Sequence, residues 1–408
     1  MPPQVESTAA NATAPAATPD WNVLFTASEL PRERFTPVAP RWAPMMYADT
    51  RAAWEGTLPE TPDVTLRLEA AGYRGRITAF SIIGPWTRPS RMVDTTRSPA
   101  ERSGGIASTL LVIGITIGGV IIGRHNARSG RGDRRAAMRL AVFVFVADCG
   151  RRVLLGSHLA LIRLDLGWAV NNVAISILLA VLTQGLYIAL EPFVRRFWPN
   201  SLISWTRLLS GRLRDPRVGR DVLLGCVFGV VMALVIWAHT LVPRLYGQPA
   251  YPPWAPILTY LNGAIGAAAT LDRQVVLGLF VAMSNIFVLV LLRVILRRVW
   301  LAVLVGVVLF SMNTLAGAFA EHPAWWTIIA QVAVVSLMAT VVVRLGVLST
   351  VVAFFYLYIL QGAPLTADPG KWYFGTSMAI VVLLGAVAVC AFSWARAGEP
   401  MFGRPLLD

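Results

Sequence analysis

Residues 189–221 read "ALEPFVRRFWPNSLISWTRLLSGRLRDPRVGRD", seven arginines in one stretch with long apolar segments on both sides. Such a run suits a nucleic-acid patch, a catalytic loop or the inner-surface collar of a membrane protein, and the surrounding composition decides among them. The chain of 408 residues is 56% hydrophobic and 14% charged, with a mean hydropathy of +0.60, whereas soluble domains carry about a quarter charged residues. Its net charge is +14, and Lys371 is its one lysine, so arginine supplies nearly all the positive charge. These arginines gather at the ends of apolar segments, which points to a bilayer and away from nucleic acid. Cys149, Cys226 and Cys390 lie in or beside apolar runs with no CxxC pair and no metal-ligand spacing. Neither a disulfide scaffold nor a metal or other cofactor is expected from them.

From Ile106 onward, apolar runs recur at about the twenty-residue length that crosses a bilayer core as helix. They predict spans near 106–123, 139–162, 168–190, 222–242, 275–296, 300–320, 326–343, 346–361 and 373–394. The expected fold is therefore an all-α polytopic membrane protein of about nine helices, over 103–395, with a small soluble domain in front. No internal repeat of the inverted kind common in transporters is evident. The connections after the first, third, fifth, seventh and ninth spans are basic, for example "RHNARSGRGDRRAAMR" and "RVILRRVW", whereas "LYGQPAYPPWAP", "AEHPAWW" and "PLTADPGKWYFG" are rich in proline and aromatics. By the positive-inside bias the basic loops and the tail 396–408 face the cytoplasm.

The first twenty residues are rich in Ala, Pro and Thr, lack the basic and apolar regions of a signal peptide, and read as a disordered leader. Residues 21–102 have the near-balanced charge of a small soluble domain. In "DVTLRLEA", Val64, Leu66 and Leu68 alternate with Thr65, Arg67 and Glu69, the period of a half-buried strand. "AGYRGR" supplies a turn, "ITAFSIIG" a second strand, and the prolines of "PWTRPSRM" end the hairpin. The loop charges put this domain outside the cytoplasm, so either the first span inserts N-out unaided or an upstream segment is missing.

In the opening stretch, Asn200 can cap a helix whose Leu202, Trp205, Leu208, Leu209 and Leu213 share one face, with Asp215-Pro216 ending it. Arg207 and Arg214 fall on the opposite face, and Arg212 breaks the pattern. Such a helix, near 200–214, suits the inner interface, with Arg207, Arg212 and Arg214 touching anionic lipid headgroups. Simple topology signalling accounts for the same arginines equally well.

Ionisable and polar groups within spans are the other candidates. Asp148 can pair with Arg151 and Arg152 one turn away, or these charges can sit at an irregular helix end. Glu191-Pro192 is expected to end the third span, with Glu191 pairing to Arg195 at i+4. Asn171, Asn172, Gln184, Asn285 and Asn313 can join neighbouring helices, and the glycines of "GITIGGVIIG" suit close helix packing. His158, His239 and Glu321-His322 have no partners at ligand spacing. "GRGD" at 130–133 lies in a basic loop without the second aspartate of an intramembrane protease, and no nucleophile, zinc-protease or kinase motif is present. No catalytic residue can be assigned.

"WNVLFTASELPRERFTPVAPRW", "ADTRAAWEG", "LRLEAAGYRGRITAFSIIGPWTRPSRM", "GRGDRRAAMRLA" and the opening stretch together resemble the C-terminal sensor and multi-span membrane half of large bacterial serine/threonine protein kinases. The resemblance runs from about Trp21 and is strongest to Asp221. It implies a bacterial inner-membrane signalling module without a catalytic site of its own. Its expected partners are the lipid bilayer and a protein kinase domain or another signalling protein. The kinase domain itself is not in this chain, and no family catalytic residue maps onto it. A small-solute transporter or channel is the alternative that the intramembrane polar groups keep open.

Overall fold

A computed structural model describes residues 18–44, 47–59, 61–87, 99–156, 162–246, 257–320 and 325–396. The leader up to residue 17, His158, Glu321, His322 and the tail beyond residue 396 lie outside them. The chain divides into two compact units, 1–96 and 97–408.

The first unit packs one short helix, α1 (Asn22–Ala27), on a four-stranded antiparallel sheet: β1 (Phe35–Val38), β2 (Thr50–Leu58), β3 (Thr61–Tyr73) and β4 (Arg76–Ile83), in that spatial order. The expected hairpin is β3–β4. Its turn is Arg74-Gly75, both at positive φ (50° and 75°), the conformation whose twist matches the flanking strands. Phe25, Phe35, Trp54, Leu66 and Leu68 form the core, with Phe25 set edge-on to Trp54 at 5.1 Å between ring centres.

Alternation along β3 assigned Arg67 and Glu69 to the solvent side, yet both are buried. The non-periodic segment 39–42 crosses that second face. Arg67 donates to Glu69 at 2.7 Å, to Glu55 at 2.5 Å and to the Ala39 carbonyl, while the Arg41 amide donates to Glu69 at 2.9 Å. Burial by itself would lower the Arg67 pKa, but the bonds to Glu69 and Glu55 more than offset it and hold the guanidinium above its ordinary value.

The second unit is helical: α2 (Pro99–Arg128), α3 (Arg134–Leu155), α4 (Ile162–Phe197), the short α5 (Ile203–Leu209), α6 (Pro216–Leu245), α7 (Gly263–Leu296), α8 (Val299–Ala320), α9 (Trp325–Thr340), α10 (Val347–Gly362) and α11 (Phe374–Ala395). Six stretches, within α2, α4, α6 and α7, from α9 to Leu345, and in α11, are long and apolar enough to cross a membrane. Their outward faces carry bare aliphatic side chains, such as Ile117 and Ile121 on α2 and Val382 and Val389 on α11. Lipid, unlike water, imposes no cost on that arrangement. The chain is a multi-pass membrane protein by these helices.

Three of the nine expected spans fall outside that set. In α3 the charges Asp148, Arg151 and Arg152 lower the hydropathy. The apolar part of α8 among the described side chains is Val299–Ser311, and α10 has 16 residues. Contacts nevertheless lay α3 along α4. At one end the Asp133 amide donates to Glu191 at 2.9 Å, and at the other Arg152 donates to Asn172 at 2.9 Å. Residues 172 and 191 are about 28 Å apart on a helix rising 1.5 Å per residue, close to the roughly 30 Å of a hydrocarbon core. Boundaries also shift: α7 begins twelve residues before the expected 275 and so takes in Asp272, Arg273 and Gln274.

α4 does not stop at Glu191-Pro192 as expected but runs on to Phe197. Proline at 192 cannot donate to the carbonyl of Ile188 four residues back. The buried Asn126 of α2 supplies that donor, its Nδ2 lying 3.1 Å from the Ile188 oxygen. α2 can reach it because Gly123 lies against Gly185, where a Cβ would fall 2.5 Å from the Gly185 carbonyl. One of the "GITIGGVIIG" glycines thus serves the close helix approach expected of it.

Candidate intramembrane ion cluster

The charges that weaken α3 as an apolar span are gathered into one cluster. Asp148 is 3% exposed. One carboxylate oxygen accepts from Arg151 at 2.5 Å; the other accepts from Arg152 at 2.6 Å and from Ser176 of α4 at 2.8 Å. Arg152 also donates to Asn172, which in turn donates to the Trp168 carbonyl at 2.8 Å. The i+3 and i+4 spacing brings both arginines to the aspartate on one helix face, and α4 closes the network from the side. A carboxylate, two guanidinium groups, a hydroxyl and an amide are satisfied together, as burial in low dielectric requires.

Asp272 of α7, on which sequence reasoning was silent, lies within electrostatic reach of Arg151 and Asp148, and its Oδ2 is buried without a hydrogen-bond partner. Arg151, bound to Asp148, is thus also within electrostatic range of a second carboxylate on another helix. The signal was present in "GAIGAAATLDRQVV": the Gly/Ala run before Asp272 can continue a tightly packed helix, but Asp272 and Arg273 interrupt the apolar run from which the span was placed.

Gln184 is half-buried, eight residues along α4 from Ser176, about 12 Å of helix away, and is not part of the cluster. Glu191 and Arg195 pair as expected, at the other end of the α3–α4 contact, where Glu191 also accepts from the Asp133 amide.

The expected interfacial helix over 200–214 is shorter and more deeply packed. A 3-10 turn at Pro199–Leu202 leads into α5, which ends at Leu209. Leu202 and Trp205 are buried in the bundle core, Leu213 is exposed, and Asn200 caps nothing. Asp215 does not end this helix; it caps the next, accepting from the Arg217 amide at 2.9 Å. Both its oxygens are 2.7 Å from Arg207, and the Arg207 bond, before the backbone bonds, holds the carboxyl below its ordinary pKa. Arg207 is therefore engaged within the protein, while Arg212 and Arg214 are exposed on the loop.

Family models, characterised proteins and solved structures were compared with the chain, and none of them matches.

Proposed function

We propose that the chain is the membrane part of a bacterial signalling system. Nine helices cross the plasma membrane, the C-terminus is cytoplasmic, the β-sheet unit faces outward, and the bundle works with a serine/threonine kinase carried elsewhere. The observation that carries this reading is Arg151 held by Asp148 while Asp272 presents an unpartnered oxygen on another helix. A switch needs an element with two arrangements of similar energy, and an arginine exchanging between carboxylates of α3 and α7 supplies one. The antiparallel run of α3 along α4 supports counting α3 as a span. The same cluster would serve a carrier coupling ion movement to transport, and it keeps the solute transporter as the second reading.

One experiment separates them. The tagged chain is cross-linked in native membranes and purified, as wild type and as Asp148→Asn. Capture of a serine/threonine kinase that changes with the substitution supports signalling. No kinase, together with solute flux in proteoliposomes that Asp148→Asn abolishes, supports transport and removes the signalling reading.

A further inference from the structure

Where α4 ends and α6 begins, the bundle holds a cavity of about 490 Å³, within the roughly 300–1,000 Å³ of small-molecule sites. Its walls come from the turn after α4 (Trp198), α5 (Ser204), the first turns of α6 (Arg217, Arg220, Asp221) and the π-turn Val341–Leu345 after α9 (Arg344). π-turns recur at functional sites because the widened helix re-aims its side chains. The walls are locked together at Gly346, which has a φ of 101° and approaches Ser201 so closely that a Cβ would lie 2.6 Å from the Ser201 carbonyl. Any other residue there would separate them.

Three arginines and one aspartate are among the residues that line this space. Arg217 and Arg344 pair with no carboxylate among the described residues. Asp221 is 7% exposed; Ser204 donates to its Oδ2, and its buried Oδ1, which makes no hydrogen bond, stands 3.4 Å from Arg220 Nε. Three exposed arginines with one carboxylate leave a net positive lining, suited to an oxyanion that accepts several charge-assisted bonds. Asp221 Oδ1, with only the 3.4 Å approach of Arg220 and no hydrogen bond, has room for a donor on the same ligand. We infer that this cavity binds a phosphate group carrying a nearby hydroxyl or ammonium donor, its oxygens on Arg217, Arg220 and Arg344 and its donor on Asp221. A phosphoglycerol or phosphoethanolamine headgroup of a lipid and a soluble sugar or glycerol phosphate share that chemistry. The site is separate from the ion cluster of α3, α4 and α7 and does not depend on the signalling reading.

The test uses the full chain in nanodiscs of phosphatidylcholine with or without one-fifth phosphatidylglycerol, read by native mass spectrometry, and the same protein titrated with sn-glycerol 3-phosphate. Wild type should retain phosphatidylglycerol or bind glycerol phosphate, and Arg220→Gln/Arg344→Gln should lower that occupancy or affinity tenfold or more. Retention of the lipid without binding of the soluble phosphate assigns the headgroup as source, and the reverse assigns the metabolite. Asp221→Asn, which keeps a side chain of the same size, should weaken these donor-bearing ligands more than inorganic phosphate. Arg212→Gln/Arg214→Gln removes the same charge outside the cavity and should change little. The proposal is overturned if neither ligand binds wild type, or if the two double variants lose binding equally, because surface charge would then suffice. Should Arg220→Gln/Arg344→Gln fail to fold, Arg217→Gln, an exposed and unpaired position, must by itself weaken binding several-fold or the site is wrong.

Discussion

Removing the carboxylate of Asp148 should destabilise the contact between α3 and α4 by an amount that depends on which arginine remains. Asp148 holds Arg151 and Arg152 with side-chain exposures of 17% and 20%, so neither guanidinium can simply turn into water. Breaking a buried pair from one side costs about 3–5 kcal/mol because a charge is left uncompensated. The partial exposure of both arginines puts Asp148→Ala near the lower end, about 3 kcal/mol. Asp148→Asn keeps an acceptor for Ser176 and one arginine and should cost about 1–2 kcal/mol. If the loss comes from stranded charge, Asp148→Ala/Arg152→Gln must be less damaging than the two single changes summed, with a coupling of at least about 1 kcal/mol. Unfolding by SDS in mixed micelles, followed by far-UV circular dichroism, gives all four corners of the cycle. A coupling below about 0.3 kcal/mol would show that Arg152 and Asp148 act independently and would refute the stranded-charge account of the cluster.

Asn126→Ala should cost about 1–3 kcal/mol by leaving the Ile188 carbonyl unsatisfied, and Pro192→Ala should restore most of it by returning the missing amide; lack of rescue in the same unfolding assay would refute the assignment. Because the pKa of Asp215 is depressed, mainly by Arg207, its contribution is present above the unfolded carboxyl value of about 3.9 and is lost as pH falls through the lower folded value. Protection from hydrogen exchange across 203–219, relative to the intrinsic rate at each pH, should fall below about pH 4 in wild type, and Asp215→Asn should be less protected already at neutral pH. A single cysteine at the exposed Ala27, with Cys149, Cys226 and Cys390 replaced, should react with a membrane-impermeant thiol reagent in intact cells. Protection until lysis would leave the β-sheet unit in the cytoplasm and reverse the proposed orientation.

The parts of this molecule legible in its sequence are those set by local periodicity. Alternation at Val64, Leu66 and Leu68 and the Arg74-Gly75 turn specify β3–β4, and apolar length specifies α2, α4, α6, α7 and α11. Pairings between distant segments are not written in period. Alternation shows that Arg67 and Glu69 face away from the Phe25–Trp54 core, but not that residues 39–42 will cover them. A window average treats Asp148 and Asp272 as interruptions, because it registers their charge and cannot see that Arg151 is bound to the first and within electrostatic range of the second. The end expected at Pro192 failed for the same reason, since the donor that keeps α4 intact comes from Asn126, 66 positions earlier in the chain.

Charge counting has a corresponding limit, visible in residues 189–221. Seven arginines there suggest a uniform basic collar, yet an anionic partner responds only to charge that the protein has not already neutralised. Arg195 is tied to Glu191 and Arg207 to Asp215, and Arg196 lies over the Phe197 ring. Arg220 stands beside Asp221, and the charge left without a carboxylate belongs to Arg196, Arg212, Arg214 and Arg217, the last of these lining the cavity to which Arg344 comes from the π-turn after α9. A collar that acted only through topology would gain nothing from bringing Arg344 to that place. Convergence of helix ends far apart in sequence on one cavity is what a ligand site requires, and it gives Arg217 and Arg220 a role that composition alone does not.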